Sequence, residues 1–403
     1  MAKGNAVIGQ SGGPTSVINQ SLVGVIQAVQ KSNHIDELLG ARHGVRGIIN
    51  EDFVPLRQAT ADWIERAAQT PAAALGSTRD KPDAAYCEKI VASFKKNNVR
   101  FFFYIGGNDS ADTARIVQEL AAGAKYDMQV FHIPKTIDND LRVHDHTPGF
   151  GSAARFVAAA VMGDNFDNAS LPGVKVDVIM GRNAGFLTAA AVLARRNSED
   201  GPHLIYVPET VFDVDQFLGD VDRVHKKAGR CLIAVSEGIH DQSGAPIAAV
   251  LAEKLGRQVE KDSHGNVQLA GSGILGDFLG DLIKDKLKIK RVRSDTFGYL
   301  QRSFPSLAVS QTDADEARMV GKVAVEYSRD ESKREGSIAM IRKSNSPYKI
   351  ETIFTSIKNV ARETKHLDAQ FLDGTSNISN AFIEYAKPLV GPLPKTASLD
   401  EVR

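Results

Sequence analysis

Cysteine is scarce in this chain of 403 residues: only Cys87 and Cys231 occur, and they lie far apart in the sequence. So low a count excludes a disulfide framework and favours a reducing compartment. The first residues show no secretory hydrophobic segment, and no apolar run is long enough to cross a bilayer. We therefore expect a cytoplasmic protein that does not enter a membrane.

An excess of charge of either sign is also missing, since Lys+Arg and Asp+Glu are both 49. A protein that binds nucleic acid or an anionic membrane surface commonly carries a strong basic bias, so we predict neither partner. The stretch 288–293 is locally basic and fits either a nucleic-acid patch or a strand. Its alternation of Ile289, Arg291 and Arg293 favours a strand that delivers Arg293 to a site.

What the chain does contain is an alternation of short apolar runs with longer helix-like stretches. Hydrophobic residues make up 42% of the sequence, enough for a packed core. Runs typical of strands buried on both faces occur at 101–105, 176–180 and 232–236. Helices are expected at 16–31, 111–122 and 184–196. This alternation predicts an α/β fold with mostly parallel sheets, and the length suits two or three domains.

Five polar clusters each follow a strand-like run. They are 11–13, 106–110, 135–140, 181–182 and 237–238. Each one alone could be a tight turn without a ligand. Because the carboxyl ends of parallel strands share one edge of a sheet, several such clusters can converge on a bound molecule.

The cluster with the most specific chemistry spans 134–140 and reads Pro-Lys-Thr-Ile-Asp-Asn-Asp. Transfer of a phosphoryl group to an alcohol needs cationic charge on the phosphates, a metal ion and a carboxylate that accepts the proton of the alcohol. One lysine, one hydroxyl and two carboxylates supply most of that set. A turn rich in Asp and Asn is the ordinary alternative.

Taken with Gly-Gly-Asn-Asp-Ser at 106–110, this stretch resembles the active site of the phosphofructokinase family, and more narrowly the branch that uses pyrophosphate. The resemblance spans roughly 6–306, with the motifs in the order of the family. It implies the phosphofructokinase fold, two Rossmann-like α/β lobes with mostly parallel sheets and the active site in the cleft between them. We expect a donor lobe at 1–149 plus about 299–403, and a sugar-phosphate lobe at 150–298.

Two departures from ATP-using relatives concern the phosphoryl donor. Asp109 stands where those relatives have glycine, and its carboxylate should exclude the α-phosphate of ATP by space and charge. Lys135 stands where they have a small residue, and it can neutralise free pyrophosphate. Separately, Asp109 could be a helix cap and Lys135 a solvated charge; together they favour pyrophosphate. An ATP-dependent kinase of the same fold stays as the alternative, although no Walker P-loop is present.

The resemblance implies a reversible transfer from pyrophosphate to the 1-hydroxyl of fructose 6-phosphate, giving fructose 1,6-bisphosphate and phosphate, in glycolysis or gluconeogenesis. It implies Asp138 as general base, Arg79 at the transferring phosphoryl group, and a homodimer or homotetramer. Asn108 would serve Mg²⁺, although an amide is a weaker ligand than a carboxylate. The residues that match substrate contacts are Gly12, Thr136, Ile137, Asp140, Met180, Gly181, Arg182, Glu237, Arg293, Tyr299, Leu300, Gln301 and Arg302.

A second motif points to a different chemistry. Residues 271–276 fit G-x-G-x-x-G, and Asp295 follows about 20 residues later, as in a dinucleotide-binding fingerprint. The preceding run, 266–270, is too polar for a central parallel strand. We interpret the motif as a glycine-rich turn that opens a helix, and keep a dinucleotide-dependent oxidoreductase as a remote alternative.

Overall fold

Strands and helices alternate along the chain, and the computed structural model describes residues 3–254, 273–361 and 363–397. The strands are β1 (Gly4–Gln10), β2 (Ile35–Ala41), β3 (Phe53–Pro55), β4 (Val99–Gly106), β5 (Gln129–Pro134), β6 (Val174–Ile179), β7 (Leu204–Tyr206), β8 (Cys231–Ser236), β9 (Val292–Thr296), β10 (Glu335–Asn345) and β11 (Tyr348–Thr355). The α-helices are α1 (Ile18–Gln30), α2 (Val45–Ile49), α3 (Ala61–Gln69), α4 (Ala84–Lys96), α5 (Asn108–Gly123), α6 (Phe150–Ser170), α7 (Phe186–Ala189), α8 (Val214–Ala228), α9 (Ile247–Lys254), α10 (Ile274–Leu287), α11 (Gln311–Tyr327) and α12 (Asn380–Val390). Short 3₁₀ helices lie at Ala190–Ala194, Gly298–Arg302, Ser306–Ala308, Ile357–Asn359 and Ala369–Phe371.

The chain forms two compact units. The first consists of Met1–Ala153 and Arg302–Lys365, and the second of Ala154–Gln301 and His366–Arg403. We expected the whole of 299–403 in the first lobe, but the last segment groups with the second unit instead. The roles of the units in binding donor and sugar phosphate stay a prediction.

The first unit is built on a seven-stranded sheet in the order β11-β10-β5-β4-β1-β2-β3. The five inner strands are parallel, and β3 and β11 run antiparallel at the two edges. Alternate residues of β4 serve two different cores, because successive side chains of a strand point to opposite faces. Phe101 and Phe103 pack in a cluster with residues of α1 and α11, whereas Phe102 and Tyr104 pack with residues of α4 and α5. The prediction of a strand buried on both faces is thus confirmed.

The second unit contains a four-stranded sheet in the order β7-β8-β6-β9, in which every described pairing is parallel. Its main core joins these strands to residues of α8, α9 and α10. The predicted α/β class with mostly parallel sheets is confirmed. Among the described residues, no helix combines the length and the apolar character that a membrane span needs.

The three predicted helices have different bounds in the structure, and the helix expected at 16–31 is α1, Ile18–Gln30. The helix expected at 111–122 begins at Asn108, so that Asn108 and Asp109 lie in its first turn. The helix expected at 184–196 is α7 followed directly by the 3₁₀ helix Ala190–Ala194. The dinucleotide-like motif lies partly outside the described residues, as does the run 266–270. Gly273, with φ +67°, directly precedes α10.

Helices α1 and α11 pack closely because each carries a glycine at their contact. A Cβ at Gly24 would lie 2.2 Å from the carbonyl oxygen of Arg318, and a Cβ at Gly321 would lie 2.2 Å from that of Ser21. Backbone atoms on a packed helix cannot give way as a flexible side chain can. The approach of the two helices therefore depends on both glycines.

We expect Gly24→Ala to destabilise the protein by about 1–3 kcal/mol, since the added methyl group must push two helix backbones apart. Gly163→Ala is the matched control, because Gly163 lies within α6 and a Cβ there would meet nothing within 4 Å. It should stabilise the protein by about 0.5–1 kcal/mol. Thermal unfolding measures both, and a Gly24→Ala protein as stable as the parent would contradict the close contact.

Candidate active site

Three neighbouring parallel strands of the first unit, β5, β4 and β1, end at the same edge of its sheet. Their ends deliver Ser11, Gly106 and Lys135 to that edge. The pairing continues past the strands, because the N–H of Ser11 donates to Ile105 (2.9 Å) and that of Lys135 donates to Gly106 (3.0 Å). The sequence clusters 11–13, 106–110 and 135–140 are therefore adjacent.

The two glycine-containing turns lie close together and leave little room for side chains. Gly12 has φ +74°, a left-handed conformation that glycine adopts without strain. A Cβ at Gly106 would lie 2.0 Å from the hydroxyl of Ser110, which is hydrogen-bonded to the hydroxyl of Ser11. The Ser77 hydroxyl donates to the Gly12 carbonyl at 2.7 Å. The backbone of this edge is thus fixed from several sides.

Lys135 is buried beneath these turns, with 3% of its surface exposed. Its ammonium donates to the carbonyl oxygen of Gly13 at 2.7 Å and would lie 3.2 Å from a Cβ at Gly12. The pKa of Lys135 is lowered to about 8, chiefly by burial; the carboxylates of Asp138 and Asp140 oppose the shift, whereas the charges of Arg302 and Arg79 add to it. The lysine is thus an enclosed cation rather than a solvated surface charge, and its surroundings favour an anionic ligand.

Two arginines and a second lysine extend this positive region. Arg302 lies beside the Gly13 backbone, where a Cβ would be 3.2 Å from its guanidinium nitrogen. Arg79 is exposed but close enough to lower the pKa of Lys135. Asp109, in the first turn of α5, forms an exposed ion pair with Lys81 at 3.2 Å. Sequence reasoning missed Lys81, whose only signal is its place two residues after Arg79.

The turn at 136–140 orients two carboxylates. The Thr136 hydroxyl accepts a hydrogen bond from the N–H of Asp138 (3.1 Å) and donates to the side chain of Asp140. Asn139 has φ +59°, a conformation that Asn tolerates better than most residues, and Ile137 is buried. Burial raises the pKa of Asp140, and both Asp138 and Asp140 are half-buried by exposed surface. The turn therefore presents two carboxylates, of which Asp140 also accepts from Thr136.

Asn108 carries a buried oxygen that lacks a partner. Its Oδ1 has no hydrogen bond to any described residue, and its Nδ2 lies 3.4 Å from a carboxylate oxygen of Asp140. Buried polar atoms nearly always have a partner, so an oxygen of this kind points to a water or an ion. Amide and carboxylate oxygens are ligands that suit a hard divalent cation. The amide nitrogen of Asn108 faces Asp140, and Asn108 Oδ1 and the Asp140 carboxylate are the two oxygen ligands here that could hold such an ion.

A second acidic group, in the second unit, has a different explanation. Oxygens of Asp164, Asp177 and Asp295 lie within 4.8 Å of one another. Lys175 is paired with Asp164 at 2.7 Å and with Asp295 at 3.0 Å. The lysine supplies the positive charge that such a cluster needs.

The second unit brings several of the predicted sugar-phosphate residues together at the ends of the adjacent strands β6 and β8. The N–H of Met180 donates to the side chain of Gln301 at 3.3 Å, and the Ser236 hydroxyl donates to Gly181 at 2.7 Å. A Cβ at Gly238, next to Glu237, would lie 2.1 Å from the carbonyl oxygen of Arg182. In this group the side chain of Glu237 is buried and that of Arg182 is half-buried, whereas Tyr299 and Leu300 are exposed by 44% and 66%.

Arg293 does not join that group within its own unit. It lies on β9 opposite Lys175 of the parallel strand β6, five residues before Met180. At the rise of an extended strand this separation is about 16 Å. The structure places the exposed Arg293 side chain near the opposite end of the sheet.

An α/β protein whose strand ends present glycine turns, an enclosed lysine and paired carboxylates belongs to the phosphoryl-transferring class. Comparison with known sequences gives the family. The pattern described as Phosphofructokinase matches residues 5–327, and the chain belongs to the phosphofructokinase family.

Curated relatives and solved structures extend this likeness over nearly the whole chain. The pyrophosphate–fructose 6-phosphate 1-phosphotransferase of Rhodospirillum rubrum is 51% identical over 97% of this chain and 95% of its own length. The enzyme of the same name from Xanthomonas campestris is 37% identical over 98% and 93%. The crystal structure of a pyrophosphate-dependent phosphofructokinase from Marinobacter aquaeolei superposes with a TM-score of 0.84 at 29% identity, covering 98% of this chain and 94% of its own. The resemblance inferred from the motifs is confirmed.

The enclosed lysine has a consequence for stability. We expect Lys135→Met to raise the melting temperature at pH 7, because it removes an ammonium whose pKa is about 8 in the fold against 10.5 for an ordinary lysine. Between those values the unfolded chain binds more protons, so the parent gains stability as the pH rises through that window. The difference in melting temperature should therefore shrink from pH 7 to about 9.5.

Lys125→Met, at an exposed lysine, is the control and should change neither quantity. A lower melting temperature for Lys135→Met, or a difference that does not depend on pH, would contradict the enclosed cation.

Proposed function

We propose that this chain catalyses the reversible transfer of a phosphoryl group from pyrophosphate to the 1-hydroxyl of fructose 6-phosphate, giving fructose 1,6-bisphosphate and phosphate. The observation that carries the proposal is the enclosed ammonium of Lys135 under the Gly12–Gly13 turn. The likeness to the Rhodospirillum enzyme over nearly the full length of both chains supports the same reaction.

Donor choice follows from charge at the start of α5. A helix N-terminus attracts phosphate, but the carboxylate of Asp109 in the first turn repels any phosphate that comes close to it. The ion pair with Lys81 holds that carboxylate near the 79–81 loop. Lys135 supplies a cation to a short, highly charged donor that has no nucleoside to anchor it. These features favour pyrophosphate over ATP.

Mg²⁺ is the ion we propose for the divalent metal. Asn108 and Asp140 would hold it through their side-chain oxygens, and the family's chemistry needs such an ion to neutralise phosphate charge. Lys135 and Arg79 would bind the remaining phosphate oxygens. Arg79 is exposed, and we assign its guanidinium to the transferring group, where it would stabilise charge on the equatorial oxygens.

Asp138 is the general base in this proposal. Its half-buried carboxylate accepts the proton of the 1-hydroxyl as the phosphoryl group arrives, and the hydrogen bond from its main-chain N–H to Thr136 holds the backbone of the turn. Gly12, Ile137 and Asp140 complete the donor side. On the sugar side, we assign substrate contacts to the residues that the sequence predicts, namely Met180, Gly181, Arg182, Glu237, Tyr299, Leu300, Gln301 and Arg302.

The proposed role of Arg293 depends on the proposed oligomer. We infer a homodimer or homotetramer, and the distance of Arg293 from Met180 within one chain supports a role of Arg293 toward a neighbouring copy. A cytoplasmic location is also inferred, and the two buried free thiols, Cys87 and Cys231, support a reducing compartment.

The donor is tested by initial rates with fructose 6-phosphate and Mg²⁺ when pyrophosphate or ATP is offered in parallel. We expect activity with pyrophosphate alone. The double variant Asp109→Gly/Lys135→Gly should raise KM for pyrophosphate about tenfold or more, since a charge-assisted contact contributes roughly 1.5–3 kcal/mol.

Lys125→Gly is the matched control, because Lys125 is exposed and already has φ +49°, which glycine adopts freely. Pyrophosphate kinetics that stay unchanged in the double variant would defeat the assignment of these residues. Activity with ATP alone would mean a kinase of the same family with a different donor.

The base is tested by Asp138→Ser. We expect kcat to fall about 10²–10⁴-fold while the affinity for fructose 6-phosphate stays close to that of the parent, because the lost group acts in proton transfer. Asp127→Ser, at an exposed carboxylate paired with Arg334, is the control. Near-normal turnover of Asp138→Ser would show that another group accepts the proton.

A further inference from the structure

The segment that follows β11 returns to the turn that carries the two carboxylates. It lies beyond residues 5–327, which the family pattern covers. Thr364 forms a β-bridge with Leu141, and the N–H of Lys365 donates to the carbonyl oxygen of Asp140 at 2.7 Å. A stretch far from the motifs in sequence therefore contacts the 138–140 turn directly.

The ammonium of Lys365 is enclosed by three oxygens from this region. It donates to the side chain of Asn139 at 3.2 Å and to the carbonyl oxygens of His144 and Asp145 at 3.0 and 2.9 Å. A lysine has three N–H donors, so the three acceptors satisfy it. Burial lowers the pKa of Lys365 to about 8, which leaves it mainly protonated at neutral pH. Its ammonium therefore links three positions of the stretch 139–145 through hydrogen bonds.

Asn139 connects Lys365 to the two carboxylates, because it lies between Asp138 and Asp140 in the chain. Its side chain is fully buried, and its φ of +59° turns the chain between Asp138 and Asp140. A left-handed residue other than glycine persists where its surroundings hold it. Lys365 supplies two of those constraints, one on the side chain of Asn139 and one on the carbonyl of Asp140.

We propose that Lys365 is a positioning residue of the phosphoryl transfer: its ammonium and its main-chain N–H hold the 138–140 turn so that both carboxylates face the reacting groups. This inference rests on the proposed function for its catalytic consequence. Lys365 itself contacts neither donor nor sugar in it. A displacement of about 1 Å in a catalytic group can lower the rate about a hundredfold, which is the scale of effect to be expected.

The first test is Lys365→Met, which keeps most of the apolar side chain and removes its charge and donors. We expect kcat to fall about 10- to 100-fold with KM for fructose 6-phosphate nearly unchanged, because orientation is lost rather than binding. Lys358→Met is the matched control, since Lys358 lies in the same C-terminal segment and is exposed. A kcat within twofold of the parent would overturn the proposal.

A general loss of stability must be separated from a loss of position. Tyr126→Phe removes hydrogen bonds from the phenol to the carbonyl oxygens of Phe94 (3.1 Å) and Val99 (2.6 Å), and Val99 lies at the opposite end of β4 from Gly106. We expect it to lower the melting temperature while kcat stays at the parent value. If Tyr126→Phe lowers kcat as much as Lys365→Met does at an equal loss of stability, Lys365 has a structural role alone and the proposal fails.

The route through Asn139 is tested by a double-mutant cycle. Asn139→Gly removes the side-chain acceptor and keeps the left-handed turn accessible. If Lys365 acts through Asn139, Lys365→Met/Asn139→Gly should be little slower than the slower single variant, whereas independent effects would multiply. A multiplied loss would overturn this route.

Amide hydrogen exchange tests whether Lys365 holds the 138–140 turn without any measurement of enzyme activity. Lys365→Met should increase exchange in peptides that cover 136–142, and Lys358→Met should leave it unchanged. If the parent transfers no phosphoryl group from pyrophosphate, the proposed function fails, while the exchange result still decides whether Lys365 holds the turn. Unchanged exchange in Lys365→Met would overturn the positioning role even in an active enzyme.

Discussion

The parallel pairing of β5, β4 and β1 is the constraint on which the candidate active site depends. Because these strands are neighbours in register, the N–H of Ser11 donates to the Ile105 carbonyl and the N–H of Lys135 donates to the Gly106 carbonyl. The helix α5 then begins directly behind Gly107, which sets Asn108 and Asp109 at its N-terminus. A side chain at Gly106 would collide with the serine hydroxyls, and one at Gly12 would need a left-handed backbone close to the Lys135 ammonium.

The same edge concentrates features that weaken a fold. An enclosed ammonium, a buried amide oxygen with no partner among the described residues and a left-handed Asn139 each cost stability where they stand. Several hydrogen bonds from neighbouring residues hold the backbone of this edge in place. Asp313 accepts hydrogen bonds from the N–H groups of Gly149 and Ser152 beyond the turn, and Thr147 donates to the Thr136 carbonyl. Strain concentrated in this way is typical of sites selected for binding and chemistry.

Local patterns in the sequence predict the buried strands and the motif at 134–140, but they do not predict contacts between distant segments. Phe101 and its neighbours form an unbroken apolar run, and the burial of alternate residues in two cores explains why the run is unbroken. The motif at 134–140 identifies Lys135 and Asp138 as candidates, because both belong to one short stretch of the sequence. By contrast, the pairing of Lys81 with Asp109 and of Lys365 with Asn139 depends on the path of distant segments, which no local period encodes. The edge strand β11 alternates half-buried and exposed residues, a weak signal beside the central strands.

Strand β10, near the C-terminal end of the first unit, also supports the candidate active site. Strand β10 pairs in parallel with β5, which places Ser337 beside His132. Burial lowers the pKa of His132 to about 4, so its neutral ring has one N–H. If Nε2 donates to the Gly106 carbonyl at 2.9 Å, Nδ1 must accept from the Ser337 hydroxyl at 2.8 Å. Gly106 thus receives donors from both His132 and the backbone of Lys135. The glycine turn is held through β10, just as the carboxylate turn is held through Lys365.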